Sequence, residues 1–187
     1  MKKITCYLLA FLFIAACQQS PDDLASPDSS SPISARSSHS RPFSANLSGT
    51  LDPGSAPTLC TGDLPGLALT GYDLSGNATH LGLLNSDLSV LHHDDCDLSF
   101  ATMLLTTNVS GQLAAANGDL LYYTGNDAIN VFHLLVDPGP NGEITGTWTI
   151  TGGTGRFDGA SGSFTIDGLV DFATLNFSVA ASGTITY

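Results

Sequence analysis

Residues 144–168 read ITGTWTITGGTGRFDGASGSFTIDG, and their alternation decides the fold. Ile144, Gly146, Trp148 and Ile150 alternate with Thr145, Thr147, Thr149 and Thr151. After a glycine-rich break, Phe164, Ile166 and Gly168 alternate with Ser163, Thr165 and Asp167. Successive side chains of a strand point to opposite faces, so period two means two strands, each with one apolar and one polar face. The break between them holds Gly152, Gly153, Gly155, Gly159 and Gly162. It has the glycine content of a phosphate-cradling loop but neither the lysine nor the following helix that such a loop needs, so backbone bends account for it.

The same texture extends outward in both directions. Phe43, Ala45, Leu47, Gly49 and Leu51 alternate with Ser44, Asn46, Ser48 and Thr50, and Phe177, Val179, Ala181, Gly183, Ile185 and Tyr187 alternate with small polar residues and Ala180. Asn117-Gly118 marks a two-residue hairpin because both residues tolerate positive φ, and residues 137–142, DPGPNG, mark another turn. Eight to ten strand candidates at short spacing predict an all-β antiparallel meander. No long amphipathic helix is present; Ala101–Leu105 and Leu113–Ala116 read at most as local helical turns. Two architectures fit, a small closed barrel of about eight strands and a β-sandwich. The barrel is preferred because closure removes the exposed edges of a Thr-rich sheet. In-strand glycines at 49, 71, 146, 168 and 183 also suit tight curvature. A transmembrane barrel fits less well, since one Trp and 5 Tyr make thin aromatic girdles.

The segment Ile150–Phe164 resembles the G-G-T-G-x-F stretch of the dirigent and allene oxide cyclase barrels. Gly76–Gly82 and Ala114–Asp119 are similar to bacterial secreted proteins of that superfamily. The resemblance implies an eight-stranded antiparallel barrel with room for a cavity. It does not carry over allene oxide cyclisation or phenoxy-radical coupling, because no catalytic residue of either family is placed here beyond the glycine-rich turn.

The N-terminus reads as an address. Lys2 and Lys3 precede an apolar run from Ile4 to Ala16, too short for a permanent span. The run ends in Ile14-Ala-Ala-Cys17, which resembles the bacterial lipobox and implies lipidation of Cys17. Gln18, in place of Asp, points toward the outer membrane. Three segments result: a lipoprotein signal at 1–16, a lipidated Cys with a flexible Ser/Pro/Asp tether at 17–42, and the β domain at 43–187.

The chain has 187 residues and a formal charge of -12, with 5 Lys and Arg against 17 Asp and Glu. That balance excludes a nucleic-acid surface, which needs clustered cations. Removal of the signal leaves three Arg and no Lys, so the lipid, unaided by a polybasic patch, is the expected membrane link. With Cys6 lost and Cys17 lipidated, Cys60 and Cys96 remain as a pair in an oxidising compartment, and a disulfide is expected.

Candidate chemistry is sparse. The run His92-His93-Asp94-Asp95-Cys96-Asp97 offers metal-ligating types, zinc or copper through imidazole and calcium through Asp94, Asp95 and Asp97. Adjacent strand residues diverge, no second ligand group has metal spacing, and an acidic loop tip is the preferred reading. His80 and His133 are candidates to project into a barrel interior as a general base, His80 first because it lies in a family-like segment. Arg156 is the cation of the glycine-rich turn and is expected to pair with Asp158 or another carboxylate. No cofactor is called for. The leading expectation is an envelope barrel that binds a small hydrophobic ligand or a partner; the rivals are a cyclase- or isomerase-like enzyme using His80 and Arg156, and a structural or adhesive surface protein.

Overall fold

The structure is a computed structural model that describes residues 39–136 and 141–187. The signal, Cys17, the tether up to residue 38 and residues 137–140 of the second turn lie outside the described residues. The chain forms β1 (Ser40–Leu51), β2 (Thr58–Leu59), β3 (Thr61–Gly62), β4 (Ala68–Leu69), β5 (Tyr72–Ala78), β6 (Gly82–Leu83), β7 (Val90–Ser99) and β8 (Leu104–Ala114). It continues with β9 (Leu120–Asn130), a single helical turn α1 (Phe132–Leu135), β10 (Asn141–Gly153), a 3-10 turn at Gly155–Phe157, β11 (Ser161–Asp171) and β12 (Phe177–Thr186). β1 begins three residues ahead of the expected domain start and pairs Ser40 with Thr186.

Eight of these strands close into a ring in the order β7-β8-β9-β10-β11-β12-β1-β5, with β5 returning to β7. Closure can be walked along the register. Leu51 faces Tyr72, then Leu91, Gly111, Tyr123, Ile150, Gly162 and Ile185, and the walk returns to β1 at Arg41, ten residues from its start (51 − 41). An even offset keeps every inward residue inward after one circuit, and such a stagger tilts the strands by about 35–45°. The closed form expected from the alternation, not the sandwich, is adopted.

Alternation sets what faces in. Phe43, Ala45 and Leu47 of β1, Ile144, Trp148 and Ile150 of β10, Phe164 and Ile166 of β11, and Val179, Ala181 and Ile185 of β12 form one buried core. Thr145, Thr147, Thr149, Ser163, Thr165, Ser182 and Thr184 face water. An apolar inside with a polar outside is the reverse of a lipid-facing barrel. Aromatic rings fill the middle. Trp148 is fully buried and stacks on Tyr123 at 4.4 Å and 3°, and its ring edge meets Phe164 at 5.6 Å. Glycines opposite these rings make space: a Cβ on Gly125 would lie 2.5 Å from the Trp148 ring, and one on Gly49 would lie 2.1 Å from that of Phe177.

Two local expectations change. Residues 101–103 form a turn and Leu104 already begins β8, so the helical readings at Ala101–Leu105 and Leu113–Ala116 give way to strand, because cross-strand pairing outweighs a few residues of helix propensity. The Asn117-Gly118 turn is one residue longer than a two-residue hairpin. Gly118 N–H donates to Ala115 O, Ala115 N–H donates to Asp119 O, and Gly118 alone takes positive φ, at 87°. That is a type I turn closed by a left-handed glycine.

Candidate functional site

The ring has two unlike ends. At the end where β1 starts, Phe157 is fully buried and packs edge-on against Tyr187 at 5.3 Å, so the interior is plugged. At the end where β1 finishes, a cavity of about 370 Å³ opens between the ring and its covering segments. That volume lies at the small end of the usual range for ligand sites, about 300–1,000 Å³. Ile129, Leu105 and Val170 contribute from the ring strands, and Val131, Leu134 and Leu135 from around α1. Leu64, Leu67 and Leu69 come from the strap that joins β1 to β5, and Phe172 and Leu175 from the loop before β12.

The strap is held in place by chemistry the sequence announced. Cys60 and Cys96 form a disulfide with Cα atoms 4.5 Å apart, tying the strap to β7. β3 adds two parallel pairs to β7, Thr61 with Asp97 and Gly62 with Leu98. Asp63 N–H donates to Leu98 O at 2.8 Å, and Phe100 N–H donates to the Asp63 carboxylate at 2.7 Å. Cys60, Cys96, Leu98, Leu105 and Val131 form a small second core that walls the cavity.

Below the cavity lies a much smaller chamber of about 20 Å³. It shares Leu69, Tyr72, Ile129 and Val170 with the cavity above and adds His93 and Asp127. Asp127 is 3% exposed, faces inward with Tyr123 and Ile129, and accepts a 2.7 Å hydrogen bond from the Trp148 indole N–H. Gly146 pairs with Asp127, and a Cβ there would lie 2.2 Å from its Oδ1, so this glycine makes room for the carboxylate. Burial pushes the Asp127 carboxyl up to about 6, against a smaller lowering by the Trp148 hydrogen bond. His93 is pushed down to about 4, chiefly by burial, with Asp94 raising and His92 lowering it. Its Nδ1 lies 2.9 Å from Thr107 Oγ1, and that hydroxyl donates its proton to Asp95 O at 2.6 Å. The hydroxyl therefore accepts from His93 Nδ1–H, which leaves Nε2 as the acceptor of a neutral ring. Tyr72 stands between cavity and chamber, edge-on to the His93 ring at 5.9 Å. Burial raises its hydroxyl to about 12, and that hydroxyl donates to Leu175 O at 3.0 Å.

The residues singled out from the sequence lie mostly elsewhere. His80 occupies the turn after β5 with φ of 69°. Its Nε2 donates to Pro42 O at 2.9 Å and its ring meets Tyr187 edge-on at 5.7 Å. This is the plugged end, so His80 is not an interior base. His133 is exposed on α1 and likewise does not enter the ring. Arg156 pairs with Asp119, not Asp158: its Nε lies 3.4 Å from Asp119 Oδ2, with the guanidinium over the Phe157 ring at 4.9 Å. The glycine-rich turn is docked on the β8–β9 hairpin, where Thr154 Oγ1 accepts from Leu120 N–H at 2.9 Å. Gly155, with φ of 58°, brings its backbone so near Asp119 that a Cβ would lie 2.0 Å from the carboxylate, while Gly152 and Gly159 also take positive φ and Gly153 does not.

The acidic run is not a loop tip. Val90–Ser99 is one strand, with a bulge between His93 and Asp95. The extra residue lets Asp94 and Asp95 both face water while His93 and Cys96 stay inward, and solvation of two charges favours that. Asp94 accepts from Ser110 Oγ, Asp95 from the Asn108 backbone and side-chain amides, and Asp97 from Thr61 Oγ1. Among the described residues, no three His, Cys, Asp or Glu side chains converge as a metal site. His92 faces outward and His93 inward, as adjacent strand residues must.

Asp127 and Tyr72 were missed by sequence reasoning. A signal for Asp127 existed: Leu121, Tyr123, Gly125, Asp127 and Ile129 share one parity, which places a carboxylate on an apolar face. A shallow depression of about 440 Å³ also lies outside β1 and β12, lined by Ser48, Thr50, Asn176 and Ser178, but it encloses nothing.

No family model matches the chain. No curated protein matches it. Among solved structures, the pterocarpan synthase dirigent protein GePTS1 is similar at 14% identity and a TM-score of 0.43, covering 80% of this chain and 91% of that one.

Proposed function

We propose that this chain is a lipid-anchored protein of the bacterial cell envelope that binds a small apolar molecule in the mouth of its ring. One observation carries the binding part: a cavity of about 370 Å³ walled almost wholly by Leu, Ile, Val and Phe side chains. A ring whose interior served only as a structural core would be filled at both ends, as this one is at the end near Phe157. The anchoring part rests on the Ile14–Cys17 box and the charged and apolar segments before it. The test is native mass spectrometry of the chain purified gently from its host. A reproducible added mass that vanishes on denaturation supports the reading. A clean apo mass, together with failure to bind an apolar dye such as N-phenylnaphthylamine, would defeat it.

A second reading, proton-transfer catalysis of the isomerase kind, is favoured by one feature. Asp127 and His93 line the same chamber, and burial acts on them in opposite directions: it raises the Asp127 carboxyl toward neutral pH and holds His93 as the neutral imidazole. In this reading the acid–base pair is Asp127 and His93, replacing His80 and Arg156. Turnover of an identified ligand that survives Asp127→Asn unchanged would remove it.

A further inference from the structure

The chamber beneath the cavity differs from it in both size and chemistry. The cavity is broad and apolar, while the chamber holds about 20 Å³ and is reached past Tyr72. About 10–15 Å³ of such space admits one water-sized group. The chamber therefore fits a single hydroxyl or ammonium and is too small for a hydrated carboxylate. The polar groups around it are acceptors. Asp127 offers a carboxylate that the Trp148 N–H engages at Oδ1, and the His93 ring, with Nδ1–H given to Thr107, carries its lone pair on Nε2. A donor arriving from the cavity would meet acceptors; an anion would meet a carboxylate of like charge at low dielectric.

We propose that the chamber is the head-group subsite of the cavity, and that the ligand is an apolar molecule ending in one hydrogen-bond donor, a hydroxyl or an ammonium, received by Asp127. This rests on the cavity being a ligand site. The cavity walls would bury the apolar body, and the narrow chamber would select the head. The arrangement also explains why a carboxylate is retained among apolar side chains with a glycine beside it: the space left by the missing Cβ of Gly146 is the space that Asp127 Oδ1 occupies. The single Trp of the chain, hydrogen-bonded to that carboxylate, reports on whatever reaches it.

The experiment compares n-octanol, n-octylamine, octanoate and octane as ligands of the full chain at pH 8, where burial still leaves Asp127 ionised. Affinities come from calorimetry, and Trp148 emission is followed in parallel. The expected order places octylamine and octanol about tenfold or more above octanoate, the worth of one hydrogen bond to a charged group. Octylamine and octanol should shift Trp148 emission, and octane should bind without that shift. Asp127→Asn should bring octylamine down by about tenfold while leaving octane within about twofold. Octanoate binding as tightly as octylamine would overturn the subsite, as would head groups that leave Trp148 silent. Both readings depend on the unmodified chain and survive a variant that fails to fold. If octane binds and the head makes no difference, the subsite falls and the cavity reading stands. If none of the four binds, both fall.

Discussion

The ring is walled in two different ways. From β8 through β12 to β1 the wall is a continuous ladder; β10 and β11 alone share ten register pairs from Asn141 to Ile150. Where β5 meets β7 there are two, Tyr72 with Leu91 and Asp73 with Val90. Beyond those pairs, the edge of β7 toward the cavity is covered by the strap instead of by a ring strand. A parallel two-residue pairing, a few hydrogen bonds and the Cys60–Cys96 disulfide hold it there. The first kind of wall draws its stability from repeated local pairing and buried area. The second draws it from a covalent tie, and it is also the wall that shapes the cavity. Structure that must leave space cannot rely on filling space, so it relies on a staple.

The largest expected effect lies in the continuous wall. Trp148→Ala removes the ring at the centre of the core and leaves Tyr123 unstacked and Asp127 without its indole donor. A loss of about 3–5 kcal/mol is expected, enough to consume much of a small domain's stability. Urea unfolding followed by far-UV circular dichroism measures it; a loss below about 1 kcal/mol would mean that the core is not centred there.

Cutting the staple should act differently. Cys60→Ser with Cys96→Ser opens a loop closed over 36 residues of separation, worth about 3–4 kcal/mol by chain entropy. The sharper expectation is spatial. Hydrogen exchange should accelerate at the amides of Cys60 and Asp63, whose acceptors are Leu67 O and Leu98 O, while the β10–β11 amides stay protected under native conditions. Uniform acceleration in both regions would erase the distinction between the two walls.

The chamber joins the two walls, since His93 lies on β7 and Asp127 on β9, and their titrations oppose one another. The Asp127 carboxyl is raised from 3.8 to about 6, so its contribution to stability is fully present below 3.8 and lost as pH rises through 6. His93 is lowered from 6.5 to about 4, so its contribution is fully present above 6.5 and lost as pH falls through 4. Each is worth about 3 kcal/mol over its own window, so the parent chain should be nearly flat between pH 4 and 6.5. The single variants unmask the slopes. Relative to the parent, Asp127→Asn should lose stability as pH falls toward 4, and His93→Gln should gain it. Taking differences from the parent cancels the shared contributions of Asp95 and Asp171, whose carboxyls are held low by backbone amides of Asn108 and Ala173. Tyr123 is the other titrating group coupled to Asp127, and its burial keeps it neutral throughout this range. Two variants with the same slope would show that burial does not shift the two groups in opposite directions.

The two walls also differ in how far the sequence disclosed them. Strands β1, β10, β11 and β12 were legible because each keeps strict alternation over seven or more residues, and one face could go nowhere but inward. The disulfide was legible by elimination among four cysteines. The strap was not, because its strands have two residues each and carry no period. β7 misled because its bulge places Asp94 and Asp95 side by side in water, which reads as a loop. The site was illegible for a related reason. It lies where inward positions carry Asp127 and His93, whereas resemblance and lone cations point to His80 and Arg156 at the opposite end. Parity within β9 held the better clue, since register assigns a side chain to the interior whatever its chemistry.

The smallest effect belongs to the plugged end and tests whether its cation matters at all. Arg156 is 43% exposed and meets Asp119 through Nε at 3.4 Å, in water that screens the pair. Arg156→Ala should cost no more than about 1 kcal/mol. Asp119 has more to lose. Its carboxylate accepts from Asn117 Nδ2 at 2.9 Å and lies 3.5 Å from the Arg156 backbone N–H, so it ties the β8–β9 hairpin to the glycine-rich turn even when the guanidinium is gone. Asp119→Ala is therefore expected to exceed Arg156→Ala by about 1 kcal/mol, and the double variant should match Asp119→Ala alone. If Arg156→Ala proves the costlier of the two, the contact that matters is the guanidinium over Phe157, and the turn is held by its cation instead of by its backbone.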